Sequence, residues 1–357
     1  METKPRFKFI DYLRGWALIV MIEVHVFNSM IIPSLKTQQW FYILNFINGL
    51  VAPSFLFISG FAFIISSKRN LDGLRSFGKI FWKKIGRIIL IFAAGYSLHF
   101  PFRSVFVLQH KPLESEWYQF YNVDILQCIA VGLLILFAAR IIIKSDKLYD
   151  YLILILGLII IFISPVIWQI NFANHLPLFI AAYFNTNVGS LFPLFPWLGF
   201  MLLGAAACKY FLYFRNNDAE RKFIYYITVI GILFLLIGHF VSLDFISPDT
   251  RYKNPNPLFL FLRTGYVLLL LVLCWLYEMF RQPQKSFVLD VSRESLFVYW
   301  LHLVLIYGMF LNGKSLYTIV DHRFGVIECI LMTIAIVVLM IFTAKLWGSF
   351  KRRIGRQ

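Results

Sequence analysis

The stretch "FIDYLRGWALIVMIEVHVFN", Phe9–Asn28, has the length and apolar content of a membrane-spanning helix, yet it carries Asp11, Arg14, Glu23 and His25. Ionisable groups at membrane depth cost free energy and face a partner or a water-filled cavity rather than lipid. On a helix turning 100° per residue, Arg14 and His25 are separated by about 20° of arc and roughly 16 Å of rise, so they share one face at two depths. Asp11 lies within about 40° of that stripe, whereas Glu23 points about 160° away from His25 and answers to a different neighbour. The helix thus presents one polar track and one isolated acid.

The rest of the chain is equally apolar. Of its 357 residues 60% are hydrophobic and 18% aromatic, and the mean hydropathy of +0.73 lies far beyond that of soluble globular chains. Ten apolar runs are centred near residues 15–32, 41–65, 88–102, 123–143, 148–167, 191–211, 223–243, 258–280, 294–311 and 324–346. The connections between them are too short for an independent soluble domain. The expected fold is therefore all-α, a polytopic integral membrane helical bundle of about ten spans forming one domain over residues 1–357.

Lysine and arginine set the expected orientation. With the N-terminus in the cytoplasm, inner segments hold 26 of the 34 basic residues, a bias that fits an even number of spans and two cytoplasmic termini. The net charge of +16 then follows largely from the positive-inside rule and argues little for nucleic-acid binding. The start, "METKPRFKF", has the basic flank of a signal peptide, but the apolar run after it holds acids and no small-residue cleavage site, so it is read as a retained first helix. Cys128, Cys208, Cys274 and Cys329 sit inside apolar runs without metal-like spacing, which suggests neither disulfides nor a zinc site. No internal repeat is evident, which weighs slightly against inverted-repeat transporters.

Each polar group at depth has a structural reading beside a functional one. Asp11 and Arg14, three apart, fit an interfacial ion pair, and Glu23 fits a hydrogen bond to another helix. His25 is harder to dismiss, because a titratable group this deep is a functional candidate by default. Asn48, Ser54 and Ser59 interrupt the second run, where Gly49, Pro53 and Gly60 permit a bend or close packing. Asp124 and Gln127 lie three apart at the outer start of the fourth run. His302 follows Ser295 and Tyr299 in the ninth run, where bonding between helices competes with catalysis. Around the outer loops lie His99, His110, His175, Trp117, Trp168, Glu114 and Glu116, whose aromatic members fit an interfacial belt.

Arg14, ten intervening residues and His25 resemble the Arg-x10-His signature of the acyltransferase 3 proteins and their wider superfamily. The segments "IDYLRGWALIVMIEVH", "APSFLFISGFAF" (52–63), "DILQCIAVG" (124–132), "LFPLFPWLGFMLLG" (191–204) and "SLFVYWLHLVLIYG" (295–308) are most similar to one branch, the bacterial relatives of the heparan-alpha-glucosaminide N-acetyltransferase catalytic domain. The resemblance covers nearly the full chain in order. It implies a multi-pass protein of the bacterial inner (plasma) membrane that moves an acyl group, with acetyl expected, from cytoplasmic acyl-CoA to a hydroxyl or amine on a glycan or glycolipid at the outer face. It implies no metal, and a homo-oligomer stays open. Lysosomal members acetylate terminal glucosamine and have been assigned a histidine beyond the first helix. Here the histidine lies within the helix, and the following "SMIIPSLKTQQW" holds none.

The residues suit that chemistry. An acyl-CoA needs cations for its phosphates at the inner interface, where Arg14 and the cluster "KIFWKKIGR", with Lys79, Lys83, Lys84 and Arg87, are available, although a lysine there also serves as a plain interfacial anchor. A base is needed deeper, and desolvation keeps an imidazole neutral near pH 7, so His25 fits either as general base or as covalent acyl carrier. Asp124 is the second catalytic candidate and, with Gln127, is placed to orient the implied acceptor or His25, while the outer-loop histidines, tryptophans and glutamates are candidate sugar contacts. Asp11, Glu23, Asn48, Gln127 and His302 are candidate supports. Two other classes use the same residues: a transporter or flippase with His25, Glu23 and Asp11 as a proton relay, and a structural partner in an envelope complex.

Overall fold

The computed structural model describes residues 7–68, 71–101, 114–241, 255–281, 286–308 and 314–354. Among them lie sixteen α-helices: α1 (Lys8–Met30), α2 (Gln39–Asn48), α3 (Val51–Lys68), α4 (Leu71–Arg75), α5 (Lys79–His99), α6 (Glu114–Tyr121), α7 (Ile125–Ile142), α8 (Asp146–Ile167), α9 (Leu178–Ala181), α10 (Leu194–Asn216), α11 (Glu220–Phe240), α12 (Pro257–Arg281), α13 (Phe287–Arg293), α14 (Ser295–Tyr307), α15 (Leu316–Val320) and α16 (Val326–Ile354). The described residues contain no β-strand, and Ile31 and Phe324 form an isolated parallel bridge.

Among the described residues, seven helical segments are long and apolar enough to cross a membrane: Gln39–Lys68, Ile125–Ile142, Asp146–Ile167, Leu194–Asn216, Glu220–Phe240, Pro257–Arg281 and Val326–Ile354. The chain is thus an all-helical, multi-pass membrane protein. The other three expected runs depart from that standard for separate reasons. Lys8–Met30 has 23 residues but holds Asp11, Arg14 and Glu23. The run expected at 88–102 is the apolar half of a helix that begins at Lys79 and whose first half holds Lys83, Lys84 and Arg87. Ser295–Tyr307 has 13 residues, or about 20 Å of rise, short of the roughly 30 Å hydrocarbon thickness.

The described residues fall into two compact units, residues 1–51 with 273–357 and residues 52–272. In the first, α1 packs against α13, α14 and α16. Tyr12, Val288 and Leu289 form a buried cluster there, with Ile19 and Cys274 packed against it. Gly15 makes this approach possible, since a Cβ at that position would lie 2.4 Å from the Val288 carbonyl oxygen.

In the second unit, α8 lies along α10, α5 along α7, and α10 also meets α7 and α11. Gly60 and Gly204 bring α3 and α10 into backbone contact: a Cβ on Gly60 would lie 1.9 Å from the Met201 carbonyl oxygen, and one on Gly204 2.0 Å from that of Phe57. Membrane helices associate by such close packing of small residues, because lipid offers no hydrophobic drive between them. Arg75 caps the end of α7 by donating to the Ile143 carbonyl at 2.6 Å and the Arg140 carbonyl at 3.2 Å. Arg140 is buried, pairs with Asp146, and lies 4.8 Å from the Tyr149 ring centroid. Arg263 lies inside α12, buried, with its guanidinium 5.6 Å from the centre of the Phe259 ring. Cys128, Cys208 and Cys329 are buried and Cys274 partly so, as their apolar context led one to expect.

Candidate active site

The first unit holds α1 at both ends. The Phe9 N–H, one of the first-turn donors that a helix leaves unpaired, donates to Glu278 Oε2 at 2.7 Å. At the other end Phe324 N–H donates to the Met30 carbonyl at 3.0 Å and Ile32 N–H to the Phe324 carbonyl at 2.9 Å. One continuous helix between these anchors carries both Arg14 and His25, so the shared polar track is realised.

Arg14 faces Asp11 at 3.6 Å, the ion pair that their spacing allows, with Asp11 almost wholly buried. Glu23 accepts from Asn48 Nδ2 at 3.4 Å, which supplies the separate neighbour its angle demands. His25 is partly buried, and its Nδ1 lies 3.2 Å from the Tyr307 hydroxyl. The His302 ring stands 5.4 Å from that of His25, centroid to centroid. His302 is fully buried, and its Nδ1 donates to the Val298 carbonyl at 2.9 Å, which leaves Nε2 as an acceptor without a hydrogen-bond partner among the described residues. The first unit therefore gathers His25, Tyr307 and His302 into one cluster.

Sequence reasoning singled out two of these three. Tyr307 is the last residue but one of the quoted "SLFVYWLHLVLIYG" segment, but five positions place it about 140° around an ideal helix from His302, so periodicity does not group them. Glu278 was missed for a similar reason: it lies near the end of α12, and only packing brings it to the start of α1.

Lys83, Lys84, Arg87, Asp124 and Gln127 belong to the second unit. Lys83 and Arg87 are exposed, whereas Lys84 donates to Ser66 Oγ at 2.8 Å and lies 4.9 Å from the Phe63 ring centroid. Asp124 caps α7, accepting from Ile125 N–H at 2.7 Å, and its other oxygen lies 3.6 Å from His99 Nε2. Gln127 is fully buried and contacts the α5 backbone at Gly95, where a Cβ would lie 2.8 Å from its amide carbon. Ser59 returns its hydroxyl to the Phe55 carbonyl at 2.7 Å, and Ser54 is buried.

Of the loop residues read as sugar contacts, Trp168 has its indole N–H committed to the Phe195 carbonyl at 2.7 Å. Trp117 packs edge-on against Phe100 and Phe120. His99 is the last residue of α5, and His175 follows a short 3-10 turn, Phe172–Asn174. His110 and the Glu114 side chain lie outside the described residues.

A comparison with curated proteins finds no match. A family model described as "Heparan-alpha-glucosaminide N-acetyltransferase, catalytic" matches residues 6–241, which include Arg14, His25, the α5 basic cluster, Asp124 and Gln127. Because that match spans more than half of the 357 residues, the chain belongs to the heparan-alpha-glucosaminide N-acetyltransferase catalytic-domain family.

Proposed function

We propose that this protein is an integral membrane acetyltransferase that takes an acetyl group from cytoplasmic acetyl-CoA and delivers it to a hydroxyl or amine of a glycan or glycolipid at the outer face of the bacterial plasma membrane. The observation that carries this reading is the cluster in which His25, on a first helix that lies within the family match, meets Tyr307 and His302 of α14. In this reading both termini are cytoplasmic, about ten helices cross or enter the bilayer, and residues 1–357 act as one transmembrane acyltransferase domain. The family match supports the last point, since it runs across the boundary between the two units at residue 51.

His25 acts as the base or the acyl carrier. With the Nδ1 proton donated to Tyr307, Nε2 keeps its lone pair and can take a proton from the acceptor or attack the thioester carbonyl. In the direct route the acceptor oxygen or nitrogen bonds to the acetyl carbon, the C–S bond breaks, and coenzyme A leaves as the thiolate or thiol. In the covalent route Nε2 bonds to the acetyl carbon as the C–S bond breaks and coenzyme A leaves, and the acceptor oxygen or nitrogen then bonds to that carbon as its bond to Nε2 breaks. Arg14, Lys83, Lys84 and Arg87 neutralise the donor's phosphates, and Asp124 with Gln127 serves the acceptor.

Radiolabelled acetyl-CoA added to the purified full chain tests this directly. Label transferred to a membrane glycan fraction, or slow release of acetate, is expected, and His25→Ala should abolish either while leaving the protein folded and able to bind coenzyme A. Retention of more than about a tenth of the parent turnover would remove His25 from this role, since a general base contributes roughly 10² to 10⁴ in rate. Failure to bind acetyl-CoA at any concentration would favour the transporter class instead.

A further inference from the structure

Helix α16 is longer than the bilayer it crosses. Its 29 residues rise about 43 Å against a hydrocarbon thickness of roughly 30 Å, and Lys345, the first lysine after its apolar run, stands about 28 Å along the axis from Val326. The turns from Lys345 onward therefore reach the level of the lipid headgroups. Aromatic rings agree with that depth: Trp347 stacks between Phe297, at 5.0 Å, and Phe350, at 5.7 Å, centroid to centroid, and tryptophan is the residue that marks a membrane interface.

At this level the first unit holds a cavity of about 290 Å³ between α13 and α16, whose lining includes Asp290, Arg293, Glu294, Lys345, Gly348 and Arg352. Asp290 stands 3.6 Å from Arg293 and 3.9 Å from Lys345, beyond hydrogen-bond distance from both, and Glu294 is held close by Lys351. Arg352 donates to Ser349 Oγ at 3.0 Å and has no carboxylate at ion-pair distance among the described residues. With Lys351 counted, four cations stand against two carboxylates, which leaves the site a net charge of +2. Gly348 keeps the space open. A Cβ there would point between Glu294 Oε1, at 3.4 Å, and Arg352 Nη1, at 4.0 Å. These are ordinary contact distances, so no helix crossing demands this glycine as one demands Gly15, although glycine weakens a helix interior.

Charge and size select the ligand. A site of net positive charge draws an anion, and a guanidinium with N–H groups left over pairs with phosphate in particular, whereas an ammonium headgroup would meet four like charges. The cavity is about ten times the roughly 30 Å³ share of one water, room for a phosphate with a small polyol and not for a whole nucleotide coenzyme. Carboxylates accept from hydroxyls, and Glu294 Oε1 faces the space beside Gly348. Basic pockets between membrane helices hold anionic lipid headgroups by these same contacts.

We propose that the cavity between α13 and the end of α16 binds one anionic phospholipid with a hydroxyl-bearing headgroup, of the phosphatidylglycerol class, its phosphate on Arg352, Arg293 and Lys345 and its hydroxyls on Glu294 and Asp290. Placing that lipid in the cytoplasmic leaflet rests on the reading of both termini as cytoplasmic. The site itself rests on the geometry of the first unit alone. Because α13 also carries Val288 and Leu289, which pack on Tyr12 of α1, a bound headgroup ties α16 to the segment that braces the His25 helix.

Native mass spectrometry of the full chain, titrated with phosphatidylglycerol, phosphatidylethanolamine and phosphatidylcholine of matched acyl chains, tests this, with thermal midpoints in nanodiscs as the second readout. One phosphatidylglycerol should bind at least about tenfold more tightly than either other lipid, and adding it to phosphatidylcholine nanodiscs should raise the midpoint by several degrees. Arg352→Gln, which removes charge, and Gly348→Leu, which fills the space, should each weaken that binding by at least about tenfold. Both should keep the parent midpoint in nanodiscs of phosphatidylcholine alone, since Arg352 has no ion pair to lose and leucine favours a helix. Equal affinity for the three lipids, or undiminished phosphatidylglycerol binding in either variant, would overturn the proposal. So would displacement of the bound lipid by coenzyme A or inorganic phosphate at equal or lower concentration, which would assign the cavity to a soluble phosphate. Neither readout involves acetyl transfer, so selective binding by a protein that transfers no label would sink the acetyltransferase reading and leave this site standing, and label transfer without selective binding would do the reverse.

Discussion

Tyr307→Phe removes one oxygen from the cluster around His25 and leaves its ring in place. That ring packs edge-on 5.7 Å from the His25 centroid and 6.0 Å from that of Tyr317, so packing is preserved and the change isolates the 3.2 Å contact to Nδ1. A neutral hydrogen bond contributes about 0.5–1.5 kcal/mol net. With a factor of ten in rate for each roughly 1.4 kcal/mol, loss of the bond should lower kcat/KM about 2- to 12-fold if it holds the imidazole in its working orientation. Removing the imidazole itself should cost on the order of 10² to 10⁴. The informative variant is the double one. If Tyr307 acts through His25, then His25→Ala with Tyr307→Phe should be no slower than His25→Ala alone, because the hydroxyl has nothing left to orient. Label transfer from acetyl-CoA, followed over long incubations so that the residual rate of His25→Ala can be read, measures all four corners of this cycle. A Tyr307→Phe variant indistinguishable from the parent, or a double variant slower than His25→Ala by the full single-variant factor, would show that the two side chains work independently and refute the reasoning.

Gly204→Ala should destabilise the second unit by about 1–3 kcal/mol, the usual cost of overpacking, because the added Cβ would meet the Phe57 carbonyl oxygen at 2.0 Å. An unchanged thermal midpoint in detergent would contradict that close helix crossing. Replacing Arg14 or Arg87 by Gln should weaken acetyl-CoA more than a short acetyl thioester that lacks the nucleotide, since only the former presents phosphates. Equal losses with both donors would point to a structural defect. In oriented vesicles acetyl-CoA should act only from the cytoplasmic face and a water-soluble acceptor only from the other. Equal activity with both reactants on the cytoplasmic side and none outside would rule out transfer across the membrane.

What the sequence determined by itself is what depends on neighbours along one helix or on composition. Hydropathy identified a multi-pass helical membrane protein, since only a helix can satisfy its own backbone in lipid. The 100° periodicity placed Arg14 and His25 on one track of α1 and turned Glu23 away from it, and the small size of Gly60 predicted the close packing found there. It began the α5 run too late, because a helix whose first half is basic does not register as apolar. Only the tertiary structure decided who stands beside whom across helices. Tyr307 reaches His25 across 282 positions and Glu278 reaches the Phe9 N–H across 269, and neither pairing leaves a trace in local periodicity. Asn48 meets Glu23 because α1 and α2 pack together, and Gln127 is distinguished from any other helix glutamine only by the Gly95 backbone opposite it and by the partners its amide lacks among the described residues. The physical reason is common to all of these: a helix dictates the direction of its own side chains, whereas the atom each one meets depends on the crossing and register of a second helix, which small residues and buried polar pairs select only once the bundle has packed.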